Sequence, residues 1–100
     1  MGVNMKMIQE MQTRLEKMQR ELADTVVEGT AGGGVVKARV NGAREFQGIS
    51  IDPSVVDPDD VDVLEDLITV AMQDAMNRAN TLAEEKMGAL TGGMRIPGLM

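Results

Sequence analysis

Val36-Lys37-Ala38-Arg39-Val40-Asn41-Gly42-Ala43-Arg44-Glu45-Phe46-Gln47-Gly48-Ile49-Ser50-Ile51 is the stretch that decides the fold. Apolar and polar residues alternate on both sides of Asn41-Gly42, the period of a strand with one buried face. Asn-Gly tolerates the positive φ of a type I′ turn and is the strongest short-range hairpin signal. The reading is a strand from Val35 to Val40, a two-residue turn, and a strand from Ala43 to Ile51. Such a turn pairs Val40 with Ala43, Ala38 with Glu45 and Val36 with Gln47. Alternation then puts Val36, Ala38, Val40, Ala43, Ile49 and Ile51 on one face. The other face carries Lys37, Arg39 and Arg44, with Val35 and Phe46 among them.

Upstream, Val26-Val27 begin a further strand that ends in the glycine cluster Gly29 to Gly34. Before it, residues 4–23 read as a long amphipathic helix. Ile8, Met11, Leu15, Met18 and Leu22 follow one another at spacings of 3, 4, 3 and 4, the seam of a heptad pattern, with Asn4 at the preceding d position. That seam fits either the chain's own sheet or a second subunit. Glu10 with Arg14, and Glu16 with Arg20, are acid-to-base pairs four apart.

Downstream, residues 52–60 form a loop into a second helix expected over Pro58–Met87. Asp57 serves as N-cap, Pro58 as first residue and Gly88 as stop signal. Its apolar stripe includes Leu64, Leu67, Ile68, Met72 and Met76. Ala71, Ala75, Ala79 and Ala83 form a small-residue ridge that admits a close neighbour. Residues 91–100 have Gly and Pro but no period, and are expected to be mobile or to dock only weakly.

The expected α-β-β-β-α chain is α+β, with a three-stranded antiparallel sheet and two long helices. Thirty helical residues span about 45 Å, against a diameter of about 35 Å for a compact globule of this length. The second helix therefore overhangs its monomer, which predicts a homodimer. Ile8, Met11, Leu15, Met18, Leu22, Ala71, Ala75 and Ala79 are the candidate dimer interface.

Composition narrows the function. The 100 residues hold no Cys, no His, no Trp, no Tyr, one Phe and ten Met. Without Cys or His the usual nucleophile, general base and zinc ligands are missing, so no enzyme activity, cofactor, metal or small-molecule substrate is expected. A cysteine-free chain of this size without an apolar leader or membrane-length run reads as cytoplasmic, with no membrane partner. Gly29–Gly34 lacks the Lys-Ser or Lys-Thr of a phosphate loop and is followed by a strand. The run Asp57, Asp59, Asp60, Asp62 has Asp62 where a calcium loop needs Gly, and Ile68 where it needs Glu.

The formal charge is −6. It is unevenly spread: residues 1–49 hold seven bases and six acids, and residues 50–100 hold three bases and ten acids. The bases fall into two groups, Arg14, Lys17 and Arg20 on the first helix and Lys37, Arg39 and Arg44 on the hairpin. Any nucleic-acid contact must come from a local basic surface held away from the acidic one.

The order of motifs carries a resemblance. It runs through Val-Glu-Gly (27–29), Gly-Gly-Gly (32–34), Val-Lys-Ala-Arg-Val-Asn-Gly (36–42), Ile-Ser-Ile-Asp-Pro-Ser (49–54) and Leu-Glu-Asp-Leu-Ile (64–68). It closes on Lys-Met-Gly-Ala-Leu-Thr-Gly-Gly-Met-Arg-Ile-Pro-Gly-Leu (86–99). Along essentially its whole length the chain resembles the YbaB/EbfC family of bacterial nucleoid-associated proteins. The resemblance implies an intertwined homodimer with projecting helical arms, one dimerising domain over residues 1–90 and a flexible tail over 91–100. It also implies weakly sequence-selective DNA binding with effects on chromosome organisation, gene expression and recombination or repair. DNA contacts attributed to the arms transfer best to Arg14, Lys17 and Arg20. Lys37, Arg39 and Arg44 join them from strand alternation alone. The alternative from another class is a dimeric protein–protein adaptor acting through the acidic arms and the tail.

Overall fold

A computed structural model of the chain describes residues 4–90. The element order is α1 (Met5–Asp24), β1 (Val26–Ala31), β2 (Val36–Asn41), β3 (Phe46–Ile51), a short 3-10 turn (Pro53–Val55) and α2 (Val61–Leu90). The α-β-β-β-α order is the expected one. The strands form one antiparallel sheet in the order β1-β2-β3. None of the described helices is long and apolar enough to cross a membrane. Residues 91–100, expected to be a tail, lie outside the described residues.

Asn4 opens α1 as its N-cap, its side chain accepting the Met7 N–H at 2.8 Å, so it is a cap rather than a seam residue. At the other end α1 stops where Thr25 turns extended and β1 begins.

α2 packs across β1 and β2. Its Ala71, Ala75 and Ala79 are fully buried against Ala31, Val36, Ala38 and Val40, with Leu67, Ile68, Met72 and Met76 around them. The close approach needs small residues on both sides. A Cβ on Gly29 of β1 would run into the backbone of Ala71 and Ala75. The alanine ridge thus closes on the chain's own sheet. This corrects the assignment of Ala71, Ala75 and Ala79 to a subunit interface, because they have no surface left to offer a second chain.

The hairpin differs from expectation in its turn and register. Val36 pairs with Ile51, Ala38 with Ile49, Arg39 with Gly48 and Val40 with Phe46, with a bulge between Arg39 and Val40. The connection is the four residues 42–45, and the positive φ falls on Arg44 (66°), not on Asn41 or Gly42. The cause is tertiary. The Gly42 N–H donates to the carbonyls of Leu22 (2.8 Å) and Thr25 (3.0 Å), drawing the turn onto the end of α1. The side chain of Asn41 is buried in its own hydrogen-bond network. Ala43 therefore lies in the turn rather than on the sheet. Below the bulge the register is shifted by four residues, an even number, so Ile49 and Ile51 keep their expected face. Above it the shift is three, and Phe46 crosses to the face of Val40.

The second helix begins later and ends later than expected. Asp57 caps a separate turn, its Oδ1 accepting the Asp59 N–H at 2.9 Å. The helix proper starts at Val61, and Gly88 lies inside it. At thirty residues α2 has the predicted length, and the molecule measures 69 × 26 × 16 Å with a radius of gyration of 18.7 Å. A compact chain of this length would have about 13 Å.

Candidate nucleic-acid interface

α1 runs toward the sheet and α2 runs away from it. Lys86 of α2 reaches Glu21 of α1 at 3.2 Å. The last described turn of α2 meets α1 in a groove of about 250 Å³ lined by Arg14, Lys17, Met18 and Glu21 of α1 and by Lys86, Ala89 and Leu90 of α2. The two helices are thus antiparallel neighbours that project from the sheet as one arm.

Arg14, Lys17 and Arg20 are all exposed on α1. The expected pairs Glu10–Arg14 and Glu16–Arg20 do not close: among the described residues the ion pairs are Arg39–Glu28, Arg78–Asp74 and Lys86–Glu21. The three α1 cations therefore remain open to an outside anion. Lys6, also exposed, precedes Lys17 by eleven residues, about three helical turns, and lies on the same side of the helix. That spacing is legible in the sequence, and Lys6 adds a fourth cation to the three expected on α1.

The hairpin group does not stay together. Lys37 and Arg39 share the sheet face turned away from α2, opposite Ser50 and Gly48. Arg39 is held there, 3.9 Å from Glu28 and donating to the Ser50 hydroxyl at 3.1 Å. Arg44 is in the turn and donates from Nε to Asn80 Oδ1 of α2 at 2.7 Å. So Lys37 is the free cation of the three, Arg39 is tied down, and Arg44 braces the turn against α2.

The acids are concentrated elsewhere. Asp62, Glu65 and Asp66 line one surface hollow at the start of α2. Asp62 and Lys86 are separated by about 36 Å along that helix, several times the screening length of about 8 Å at physiological salt. The run of acids over residues 52–66 thus sits far from the α1 cations, which share their arm with Glu10, Glu16, Glu21, Glu84 and Glu85. Among the described residues no group of carboxylates is disposed to hold a metal ion. Two carboxylates are shifted. Asp74 is held below its ordinary value of 3.8, first by the Thr30 N–H that it accepts and further by Arg78, with partial burial opposing. Asp52 is lowered by the Ser54 N–H at its 3-10 turn. Both serve the fold.

Of the candidate seam, Leu22 is buried inside the chain, Leu15 and Met18 are half-buried, and Ile8 and Met11 are exposed. A second apolar surface is bare on β3, where Phe46 is 51% and Ile49 43% exposed, beyond the reach of α2.

A profile of the YbaB/EbfC DNA-binding family matches residues 1–94. A nucleoid-associated protein of Chloroflexus aurantiacus is 56% identical over 91 residues, 91% of each chain. One from Dictyoglomus thermophilum is 47% identical over 93 residues, covering 93% of this chain and 89% of the relative. The crystal structure of an uncharacterised Helicobacter pylori protein has the same fold, with a TM-score of 0.63 at 20% identity, over 87% of this chain and 98% of that one.

Proposed function

The chain belongs to the YbaB/EbfC DNA-binding family, which is not an enzyme family, and we propose that it acts as a nucleoid-associated homodimer that grips the phosphate backbone with its α1 arm. Arg14, Lys17 and Arg20 are the main contacts, with Lys37 secondary. The observation that carries this is their freedom: exposed cations with no ion pair among the described residues, on a projecting helix, while Arg39, Arg78 and Lys86 are already engaged. Point-charge contacts of this kind position a protein on DNA and read little sequence. Weak selectivity follows, and with it a role in chromosome organisation and gene expression that extends to recombination and repair. The names of the relatives support the nucleoid association.

Homodimerisation is supported by the elongated shape and by the bare Phe46 and Ile49 on β3. Of the original seam, Ile8 and Met11 keep the most exposed surface.

The test is a DNA titration at several salt concentrations. The triple variant Arg14→Glu, Lys17→Glu, Arg20→Glu should lose the mobility shift while keeping its mass in solution. Neutral Gln replacements should flatten the slope of log K against log[salt] by about 2.7 per chain, at about 0.9 per phosphate neutralised. An unchanged slope would remove α1 as the binding element.

A further inference from the structure

The three-stranded sheet has two outer edges, β1 and β3, and they differ. Thr30 of β1 lies opposite Lys37 of β2, yet its N–H does not go to β2. It points out of the sheet and donates to Asp74 Oδ2 of α2 at 3.0 Å. Backbone groups alternate sides along an antiparallel strand, so Val26 and Glu28 turn theirs to the same outer side. All three residues are exposed. Asp74 is itself held, because Arg78 one turn on donates from Nε to the same oxygen at 3.3 Å. The Thr30 N–H keeps the Asp74 carboxyl below its ordinary value of 3.8, so it is charged at neutral pH. On the far edge Ile49 of β3 lies opposite Ala38, whose own backbone bonds go to Gly29 of β1. By the same alternation Ile49 turns its N–H and carbonyl outward. Among the described residues no side chain closes the outer side of β3 as Asp74 closes that of β1.

An edge of outward N–H and carbonyl groups is a template for a strand of another chain. With both edges open, β1 of one copy could pair with β3 of the next. Such a head-to-tail contact does not close on itself and grows into an open chain of copies. We infer that Asp74 closes the β1 edge against a strand of a second copy and so keeps the protein from head-to-tail growth. A strand arriving beside β1 meets a carboxylate where it needs the Thr30 N–H. Trapping that charge between two strands costs its hydration, with no donor on the newcomer that β1 does not already supply. Of the three outward residues of β1, only Val26 and Glu28 then remain to pair. The inference rests neither on DNA binding nor on the mass of the parent protein, which serves only as the reference for the variants.

The test is Asp74→Ala in the full chain, which frees the Thr30 N–H, compared with the parent by light scattering from low to high concentration. Its average mass should rise with concentration to at least about twice that of the parent. Adding Thr30→Pro removes the freed donor at an edge position where proline is tolerated, and should return the mass to that of the parent. Val40→Ala, which loosens the core but keeps Asp74, should stay at the parent mass, so that growth is not a by-product of lost stability. An Asp74→Ala mass equal to that of the parent would overturn the inference. So would growth that persists in the double variant, or equal growth in Val40→Ala. Amide exchange in the parent needs no variant. Corrected for intrinsic rates, Thr30 should exchange at least about tenfold more slowly than Glu28 at every concentration. Equal rates, or protection of Glu28 that appears on concentrating the protein, would equally overturn it.

Discussion

Asn41 uses all of its side-chain hydrogen-bonding capacity inside the protein. Nδ2 donates to the Ala23 carbonyl at 3.1 Å and to Glu45 Oε1 at 2.8 Å. Oδ1 accepts the N–H of Ala43 at 3.0 Å and of Glu45 at 2.9 Å. One buried amide therefore holds the turn together and ties it to the end of α1. Asn41→Asp keeps the shape but turns two donors into acceptors facing a carbonyl and a carboxylate. The expected loss is about 3 kcal/mol, read as a urea midpoint shift, since an unpaired buried charge is among the costliest single changes. Asp74 acts differently, from the surface, by accepting the Thr30 N–H at 3.0 Å. Its folded pKa is depressed, so the stabilisation is complete above 3.8 and is lost as pH falls through the lowered value. Asp74→Asn should melt below the parent at pH 7, and the two melting curves should converge on acidification below that range. A gap that persisted at low pH would mean that the charge of Asp74 is not the source.

At the scale of elements, the contact of α2 with β1 is governed by size. Gly29 and the Ala71–Ala75–Ala79 ridge allow a strand and a helix to approach nearer than side chains usually permit. Gly29→Ala inserts a methyl where backbone, not a movable side chain, is waiting. Overpacking commonly costs about 1–3 kcal/mol, and here the upper end, about 3 kcal/mol, is expected by chemical denaturation. The opposite error is tested at Val40, fully buried on β2. Val40→Ala leaves a cavity under the same helix and should cost about 2 kcal/mol. The arm depends on a weaker joint. Glu21 and Lys86 are both partly exposed, so that pair orients α1 on α2 more than it stabilises them.

For the whole molecule, length decides the behaviour. A chain 69 Å long and 16 Å thick exposes apolar surface that a compact one would bury. Phe46 and Ile49 on β3 are the bare patch that the proposed second copy would cover. Light scattering should give twice 10.8 kDa at micromolar concentration, and Phe46→Asp with Ile49→Asp should return the mass to that of one chain. A parent protein that is already monomeric would remove the dimer. The separation of charge also belongs to this scale. The same net charge of −6 spread evenly would oppose DNA everywhere. Placed about 36 Å away along α2, the acidic surface is screened from the cations of α1.

What the sequence by itself determined is the identity and order of the elements and the buried face of β2. Period 2 in Val36–Val40 and the heptad spacing of α1 are local properties, expressed by residues a few positions apart. Even the register error left Ile49 and Ile51 on their face, because it was an even number of residues. The tertiary structure alone decided the turn at 42–45, the crossing of Phe46, the burial of the alanine ridge in the chain's own core, and which cations stay free. Each of these rests on partners far apart in the chain: Gly42 with Leu22, Gly29 with Ala75, Arg44 with Asn80, Glu21 with Lys86. No local period encodes such a pairing. It is set only when helix and sheet have packed and each buried N–H, carbonyl and charge must find its partner there.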